Sequence, residues 1–404
     1  MRILFAAPYT PSKIRARSYN FIKGLRRRDH SLSFIGLADE YTTRETEKEL
    51  GDYCDFVELY RIPKMRSYFN CFSALFRNMA LQSAYTFSRQ FKSRIEEISS
   101  GRNFDIIHIE HIRAGYSLPK NRDVPAVFDS VDCISSLYKQ FSREEKTIPA
   151  RLLALMEYKK LEKYEPFTLS KYDKVLVTSE RDKNALLELS YRHKYRIPGI
   201  QVVQNGVDTE FFKPRSLDSE ADSIVFSGKM AYHANELAAL HFVRDIFPFI
   251  KEKKPEVKFY IVGAHPSKKI RQLEDNKSII VTGWVPDIRD YLERAMVVVC
   301  PLRVTVGIQF KLLEAMSMSK PVVTYPEAVD PFPDNREQAY FLKADNSRVF
   351  AKNVLKLMNN KSLRLSLGMK ARSYMERFFD WGLKVKVLEE LYKKVLKSYR
   401  DGDQ

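Results

Sequence analysis

Length, composition and charge limit what this chain can be. Its 404 residues, 44% of them hydrophobic, suit two domains of about 200 residues, each with its own core. The four cysteines show neither CxxC nor CxxxC spacing, which argues against a zinc site or a disulfide framework and favours reduced thiols in a cytoplasmic protein. The sequence contains no run of about 18 apolar residues, so no membrane span is predicted. A net charge of +17 points to nucleic acid, anionic lipid or a phosphorylated substrate as partner.

The first half of the chain alternates short apolar runs with helical patterns. Strands are predicted over residues 2–8, 31–36, 104–109, 125–129 and 174–178, and helices over 15–28 and 151–168. The loop after the first strand contains no glycine, which argues against the dinucleotide fingerprint GxGxxG. This alternation predicts a parallel, doubly wound sheet.

Residues 59–95 combine basic and aromatic side chains. They hold seven Lys or Arg residues and eight aromatic residues, and no acidic residue interrupts them. Basic helices with aromatic faces bind anionic membrane surfaces or nucleic acid, whereas an ordinary amphipathic helix packs its aromatic face on the domain core. All three interpretations fit the pattern. We expect an anionic membrane surface as the partner, and no nucleic acid.

The second half repeats the alternation after a domain boundary near residues 200–220. Strands are predicted over residues 223–226, 258–262, 278–282, 296–300 and 322–324, and helices over 235–247, 308–318, 346–359, 361–378 and 382–399. Pro248 is expected to stop the helix that precedes it. The pattern therefore predicts a second parallel sheet.

The stretch 296–324 reads as strand, loop, helix and strand, with the loop at the carboxyl end of the first strand, where open α/β sheets bind ligands. Three amides at the helix start suit a phosphate, those of Gly307, Ile308 and Gln309. Glu314 lies about two turns further on, with Lys311 beside it, and a carboxylate there can accept hydrogen bonds from sugar hydroxyls. The segment indicates a nucleotide site. A salt-bridged amphipathic helix in any Rossmann-like domain would show the same pattern.

The sequence GIQFKLLEAMSMSKPVV, residues 307–323, resembles the donor-site signature of the retaining glycosyltransferases of family four, in particular their bacterial polysaccharide branch. Two residues depart from the family pattern. Phe310 replaces the usual Asn, and the first Glu of the Glu-x7-Glu motif falls on Val306, which cannot hydrogen-bond a sugar hydroxyl.

The resemblance implies the GT-B fold, an α/β architecture of two Rossmann-like doubly wound parallel-sheet domains that face each other across a cleft. Residues 1–205 would bind the acceptor and residues 206–380 the nucleotide-sugar donor. Residues 381–404 would form a helix that packs back on the first domain.

The resemblance also implies roles for individual residues. Catalytic roles fall on His111, Lys229 and Glu314, with Asp129 and Asp132 as secondary candidates for acceptor contacts. Asn235 stands where the family often has a second lysine, and Lys311 would compensate for it. The implied donor-binding residues are Gly228, Lys229, Gly283, Trp284, Val285, Gly307, Ile308, Gln309, Lys311 and Glu314.

These expectations describe a retaining, metal-independent hexosyltransferase without a cofactor. It would move a hexose from a nucleotide-diphosphate sugar to a saccharide or lipid-linked saccharide in cell-surface polysaccharide synthesis. It would be cytoplasmic, with peripheral attachment to the inner face of the cytoplasmic membrane. The alternative is a catalytically impaired GT-B protein that acts as a partner or scaffold in glycan assembly, because Val306 and Asn235 lack the expected polar groups. An epimerase on the same fold fits the Gly-Ile-Gln-x-Lys pattern less well.

Overall fold

The computed structural model describes residues 1–13, 15–100, 104–144, 147–215, 219–275, 277–303, 308–330, 332 and 340–402. The chain forms two compact units. The first comprises Met1–Gln204 together with Trp381–Gln404, and the second comprises Asn205–Asp380. The acceptor and donor roles expected for the two halves stay predictions.

Each unit contains a parallel sheet. The first sheet has the order β3-β2-β1-β4-β5-β6-β7, with strands Arg2–Ala7, Ser31–Ala38, Phe56–Arg61, Ile106–Glu110, Ala126–Val131, Lys174–Val177 and Ile200–Val202 numbered β1 to β7 along the chain. The second has the order β10-β9-β8-β11-β12-β13, with strands Ser223–Ser227, Lys258–Val262, Ile279–Gly283, Val297–Cys300, Val322–Thr324 and Leu342–Lys343 numbered β8 to β13. All pairings are parallel, and the predicted fold class is confirmed.

Helices connect the strands of both units. In chain order they are α1 Ala16–Arg26, α2 Arg44–Gly51, α3 Lys64–Leu75, α4 Leu81–Tyr85, α5 Arg89–Ser99, α6 Ile134–Glu144, α7 Ile148–Leu169, α8 Glu180–His193, α9 His233–His241, α10 Phe247–Lys253, α11 Lys268–Arg271, α12 Arg289–Arg294, α13 Phe310–Ser317, α14 Pro326–Val329, α15 Ser347–Asn359, α16 Lys361–Phe378 and α17 Trp381–Gly402. Among the described residues, no helix combines the length and apolar character that crossing a bilayer requires.

The sheets are covered on both faces, as parallel sheets require. Every residue of β11 is buried, as are the last five residues of β1. Helix α17 belongs to the first unit and packs on α1. The rings of Phe21 and Trp381 meet edge to face at 5.4 Å, and a Cβ on Gly24 would lie 2.4 Å from the Val385 side chain.

Pro248 does not end the helix that precedes it, so that prediction was wrong. A π-helical turn, Phe242–Ile246, follows α9, and α10 continues from it with Pro248 in its first turn. Pro248 lies in this first turn, directly after the π-helical hydrogen bond from the Phe247 amide to the Phe242 carbonyl.

Residues 59–95 form the end of β3, the helices α3 and α4, and part of α5. Phe91 on α5 is buried in the core of the first unit. Along α3 the aromatic face points to solvent instead, and Phe69 is 71% exposed. Other exposed apolar side chains of this region are Met65, Tyr68, Phe72, Leu75 and Phe76. Packing on the domain core therefore describes α5 but not α3.

Candidate functional site

The strand order reverses once in each sheet, between β1 and β4 in the first and between β8 and β11 in the second. Open parallel sheets bind ligands at this reversal, outside the carboxyl ends of the strands. Most of the predicted donor residues that the structure describes lie at or beside this edge of the second sheet.

Three turns meet there, after β8, β9 and β10. Each contains a glycine with a positive φ, 149° at Gly228, 151° at Gly263 and 69° at Gly283. The Gly263 amide donates to the Gly283 carbonyl at 3.0 Å, and a Cβ on Gly263 would lie 1.7 Å from the Gly228 oxygen. Only glycine permits so close an approach of two backbones. Gly263, to which the sequence assigned no role, thus joins the turns that carry the predicted donor-binding residues Gly228 and Gly283.

Asn235 connects the turn after β8 to α13. Its side-chain amide donates to the Lys229 carbonyl at 2.9 Å, and its side-chain oxygen accepts from the Lys311 ammonium at 2.6 Å. Asn235 is 5% exposed and lies in the first turn of α9. The Lys229 side chain is exposed. The structure therefore brings Lys311 and Gly228–Lys229 together through a residue that the sequence marked only as a departure from the family.

Lys311 and Glu314 have unusual electrostatics. Burial lowers the pKa of the Lys311 ammonium, an effect that the Cys300 thiol and the Glu314 carboxyl oppose. Burial raises the pKa of the partly exposed Glu314 carboxyl to about 7, and the charge of Lys311 opposes that shift. The site thus holds a buried lysine whose pKa is lowered and a carboxyl whose pKa is raised to about 7. Perturbed groups of this kind concentrate in ligand sites.

The loop before α13 is described only in part. Helix α13 begins at Phe310, two residues later than predicted, and Gln309 precedes it as the N-cap residue. Ile308 is buried. Val306 and Gly307 lie outside the described residues, so the phosphate contact expected at the Gly307 amide stays a prediction.

The turn after β10 presents an exposed aromatic ring. Trp284 is 67% exposed, so it does not fill the core, and Val285 beside it is half-buried. Asp287 anchors the turn by accepting from the backbone amide and the guanidinium of Arg289. The indole can therefore contact a planar ligand such as a nucleobase.

His111 follows β4 in the first unit and adopts a left-handed backbone with a φ of 71°. Its amide donates to the Asp129 carbonyl at 2.7 Å, and its Nδ1 accepts from the Arg113 amide at 3.3 Å. Burial, together with the charges of Arg113 and Arg15, holds the pKa of this imidazole well below its usual value. The ring is therefore neutral at physiological pH. With Nδ1 as acceptor, its proton lies on Nε2, which can donate to a sugar oxygen.

A buried polar cluster lies on β4 and β5. His108, Glu110 and Asp129 offer ligand atoms within 4.8 Å of one another, a spacing that would accept a metal ion. The Arg17 guanidinium donates to Asp129 at 2.7 Å, and the Tyr9 hydroxyl donates to Glu110. Arg17 therefore already supplies positive charge to this set, which fits a buried ion-pair network better than a metal centre.

The same cluster changes the roles of two acceptor candidates. Asp129 is fully buried and bound to Arg17, so it offers no atom to an acceptor sugar. Asp132 is partly exposed and accepts from the Thr178 hydroxyl at 3.0 Å. Of the two, only Asp132 stays a candidate.

Two family models cover most of the chain. The model described as Glycosyltransferase Family 4 matches residues 16–211, and the model described as Glycosyl transferases group 1 matches residues 221–360. The first match covers most of the first unit, and the second lies within the second unit. No curated protein matches this chain in sequence.

Solved structures share the fold over nearly the whole chain. Sucrose-phosphate synthase from Thermosynechococcus elongatus has a TM-score of 0.70 at 13% identity, covering 98% of this chain and 99% of its own. Anabaena HepE in complex with UDP has a TM-score of 0.66 at 11% identity, covering 98% and 100%. A mutant of S. aureus TarM, in complex with Fondaparinux, α-GlcNAc-glycerol and UDP, has a TM-score of 0.67 at 13% identity, covering 97% and 100%. The TM-scores and the coverage show a common fold, and at identities this low the likeness extends to the fold alone.

Proposed function

We propose that this chain, which belongs to the family-four glycosyltransferases of the GT-B fold, is a retaining hexosyltransferase that uses a nucleotide-diphosphate sugar as donor. Its acceptor is a saccharide or lipid-linked saccharide. The observation that carries the proposal is the contact set of Gly228, Asn235 and Lys311 at the strand-order reversal of the second sheet.

The chemistry of this contact set suits a sugar nucleotide. The ammonium groups of Lys229 and Lys311 offset the negative charge of a diphosphate, and the start of α13 favours an anion through its backbone dipoles. Glu314 exchanges hydrogen bonds with sugar hydroxyls one turn further along α13. The UDP complexes of HepE and TarM support a nucleotide ligand for this fold.

Retention without a side-chain nucleophile follows from a front-face displacement. The bond from the anomeric carbon to the diphosphate oxygen breaks, the acceptor oxygen attacks from the same face, and the departing phosphate takes the acceptor proton. Lys229 and the amides at the start of α13 stabilise the charge that develops on the leaving oxygen. Neutral His111 can donate from Nε2 to a sugar oxygen. No metal is required in this scheme.

The exposed face of α3 supports attachment to an anionic membrane, which suits a lipid-linked acceptor. Phe69, Phe72 and Phe76 are exposed beside the basic residues of this region. The start of α7 also exposes apolar side chains, and Ile148 there is 73% exposed. The Lys160 ammonium ties α7 to the end of α3 by donating to the Ala74 carbonyl at 2.7 Å. Large apolar patches of this kind mark interaction surfaces, and the proposed location is the cytoplasmic face of the membrane during polysaccharide synthesis.

The anomeric configuration of the product tests the reaction class. The purified protein is incubated with an α-linked hexose donor and a panel of saccharide acceptors, and the new linkage is assigned from the proton coupling of its anomeric carbon by NMR. An α-linked product supports retention, and a β-linked product contradicts it. Full activity in the presence of EDTA is expected if no metal takes part.

A catalytically impaired GT-B scaffold is the second candidate. Val306 and Asn235 favour it, because both are neutral where the family resemblance implies charged groups. Calorimetry with UDP, GDP and ADP separates the two, because a scaffold without a donor site binds none of these nucleotides.

A further inference from the structure

The side chains of Asn235 and Lys311 are joined by a hydrogen bond that neither sequence motif predicts by itself. They lie 76 positions apart, on α9 and α13, and their side chains share a hydrogen bond of 2.6 Å. Lys311 also packs under the turn after β8, since a Cβ on Gly228 would lie 3.1 Å from its Cε and 2.8 Å from the Asn235 amide nitrogen. The ammonium is further in contact with the Phe226 ring, whose centre is 5.3 Å away.

The position of the Lys311 charge needs an explanation. A buried ammonium is costly unless anionic or polar groups surround it. Within the described parts of the chain, the groups around it are the Asn235 oxygen, the Phe226 ring, the Cys300 thiol and the Glu314 carboxyl. The acceptor that the described residues give this cation is thus a neutral amide oxygen, at the edge where the donor diphosphate is proposed to bind.

We infer that Lys311 supplies from α13 the phosphate-binding charge that residue 235 does not carry, and that Asn235 is the positioning residue that holds it there. The Asn235 amide has two functions in this arrangement. Its oxygen fixes the Lys311 ammonium beside the Gly228 turn, and its nitrogen holds the Lys229 carbonyl, so that one side chain connects the Lys311 charge with the backbone of the turn after β8. The inference rests on the proposed function and deepens it, because it assigns how the diphosphate is recognised.

A charge relocation tests the inference. Lys311→Ala removes the cation, and Lys311→Ala combined with Asn235→Lys returns it from α9 into the space that Lys311 vacates. The single variant is expected to weaken binding of UDP, GDP or ADP, whichever the wild type binds best, by about tenfold or more. The double variant is expected to recover most of that loss. Calorimetry measures each affinity at two salt concentrations.

Asn235→Asp gives a second measurement that does not remove a large side chain. It keeps the acceptor for the Lys311 ammonium but places a carboxylate beside it and loses the donor to the Lys229 carbonyl. Nucleotide affinity is expected to fall, with a weaker dependence on salt, because the new charge neutralises the cation. Lys356→Ala on α15, an exposed lysine of the same unit, is the matched control and should leave the affinity unchanged.

The outcomes separate this inference from the proposed function. If the wild type binds none of the three nucleotides, the proposed function fails and the inference fails with it. If the wild type binds one of them and Lys311→Ala and Asn235→Asp bind it equally well, only the inference fails. A folded Lys311→Ala variant that loses affinity without recovery in the double variant assigns Lys311 a purely structural role and also overturns the inference.

Discussion

At the scale of single residues, the candidate site contains side chains whose pKa values the fold shifts away from their ordinary values. Burial at the carboxyl edge of the second sheet lowers the pKa of Lys311 and raises the pKa of Glu314. His111 in the first unit is kept neutral by burial and by two neighbouring arginines. A hexosyltransferase that relies on its substrate phosphate as the base needs such groups for binding and orientation.

Glu314 should make stability depend on pH. Its pKa rises from 4.5 to about 7 on folding, so between these values the folded protein keeps a proton that the unfolded chain has lost. The contribution of the protonated Glu314 to the free energy of unfolding is therefore complete at low pH, and it is lost as the pH rises through about 7. Glu314→Gln removes this titration. Its thermal midpoint, relative to wild type, should increase between about pH 5 and about pH 8.

The control for this measurement is Glu252→Gln on α10, an exposed glutamate of the same unit. Its midpoint relative to wild type should stay constant over the same range. A constant difference for Glu314→Gln as well would show that Glu314 does not change its protonation near neutral pH in the folded protein.

At the scale of elements, the glycine turns after β8, β9 and β10 contact one another at the edge of the second sheet and hold the candidate site in place. Gly263→Ala should disrupt them, because its Cβ would overlap the Gly228 oxygen at 1.7 Å and alanine disfavours a φ of 151°. Destabilisation of roughly 3 kcal/mol or more is expected from backbone overlap and strain together, with loss of nucleotide binding. Urea denaturation monitored by circular dichroism measures it.

Gly51→Ala is the matched control for that substitution. Gly51 ends α2, and a Cβ added there meets no atom within 4 Å. It should change stability by no more than about 1 kcal/mol. Equal effects of the two substitutions would contradict the role assigned to Gly263.

Helix α3 should carry much of the affinity for membranes. Replacing Phe69, Phe72 and Phe76 with serine removes exposed apolar area without touching the core. Sedimentation with vesicles rich in phosphatidylglycerol should show binding by the wild type and at least about tenfold weaker binding by the triple variant. Tyr191→Ser, which removes an exposed aromatic from α8, is the control. Equal binding of wild type and triple variant would refute this surface.

The elements were largely predictable from the sequence, and the contacts between them were not. Buried parallel strands are short apolar runs, so Lys258–Val262 and Val322–Thr324 were predicted to the residue. The strand Leu342–Lys343 was missed because two residues are too few to show a periodicity. Pro248 was wrongly predicted to end a helix, because no local pattern announces the π-helical turn that precedes it. The pairs Asn235–Lys311 and Arg17–Asp129 join residues 76 and 112 positions apart, and no local pattern encodes such distances.

At the scale of the whole molecule, the six strands of the second sheet follow the order of the first six strands of the first sheet, and in each sheet polar residues lie at the point of reversal. In the second unit these residues suit a nucleotide, and in the first His111 and Asp132 suit a sugar. One family model matches mainly the first unit, over residues 16–211, and the other matches within the second unit, over residues 221–360. The proposed transfer from a nucleotide donor to a saccharide acceptor requires both kinds of site, and the assignment of donor and acceptor to the two units stays a prediction.

Turnover of nucleotide sugars by the purified chain is the decisive test of the proposed glycosyl transfer. UDP-, GDP- and ADP-hexoses are supplied separately, with release of the nucleoside diphosphate as the readout for the wild type, Lys229→Ala and Glu314→Ala. We expect the wild type to consume at least one donor, and we expect both variants, shown to be folded by circular dichroism, to lose that activity. Undiminished turnover in both folded variants, or no turnover of any donor by the wild type, would contradict it.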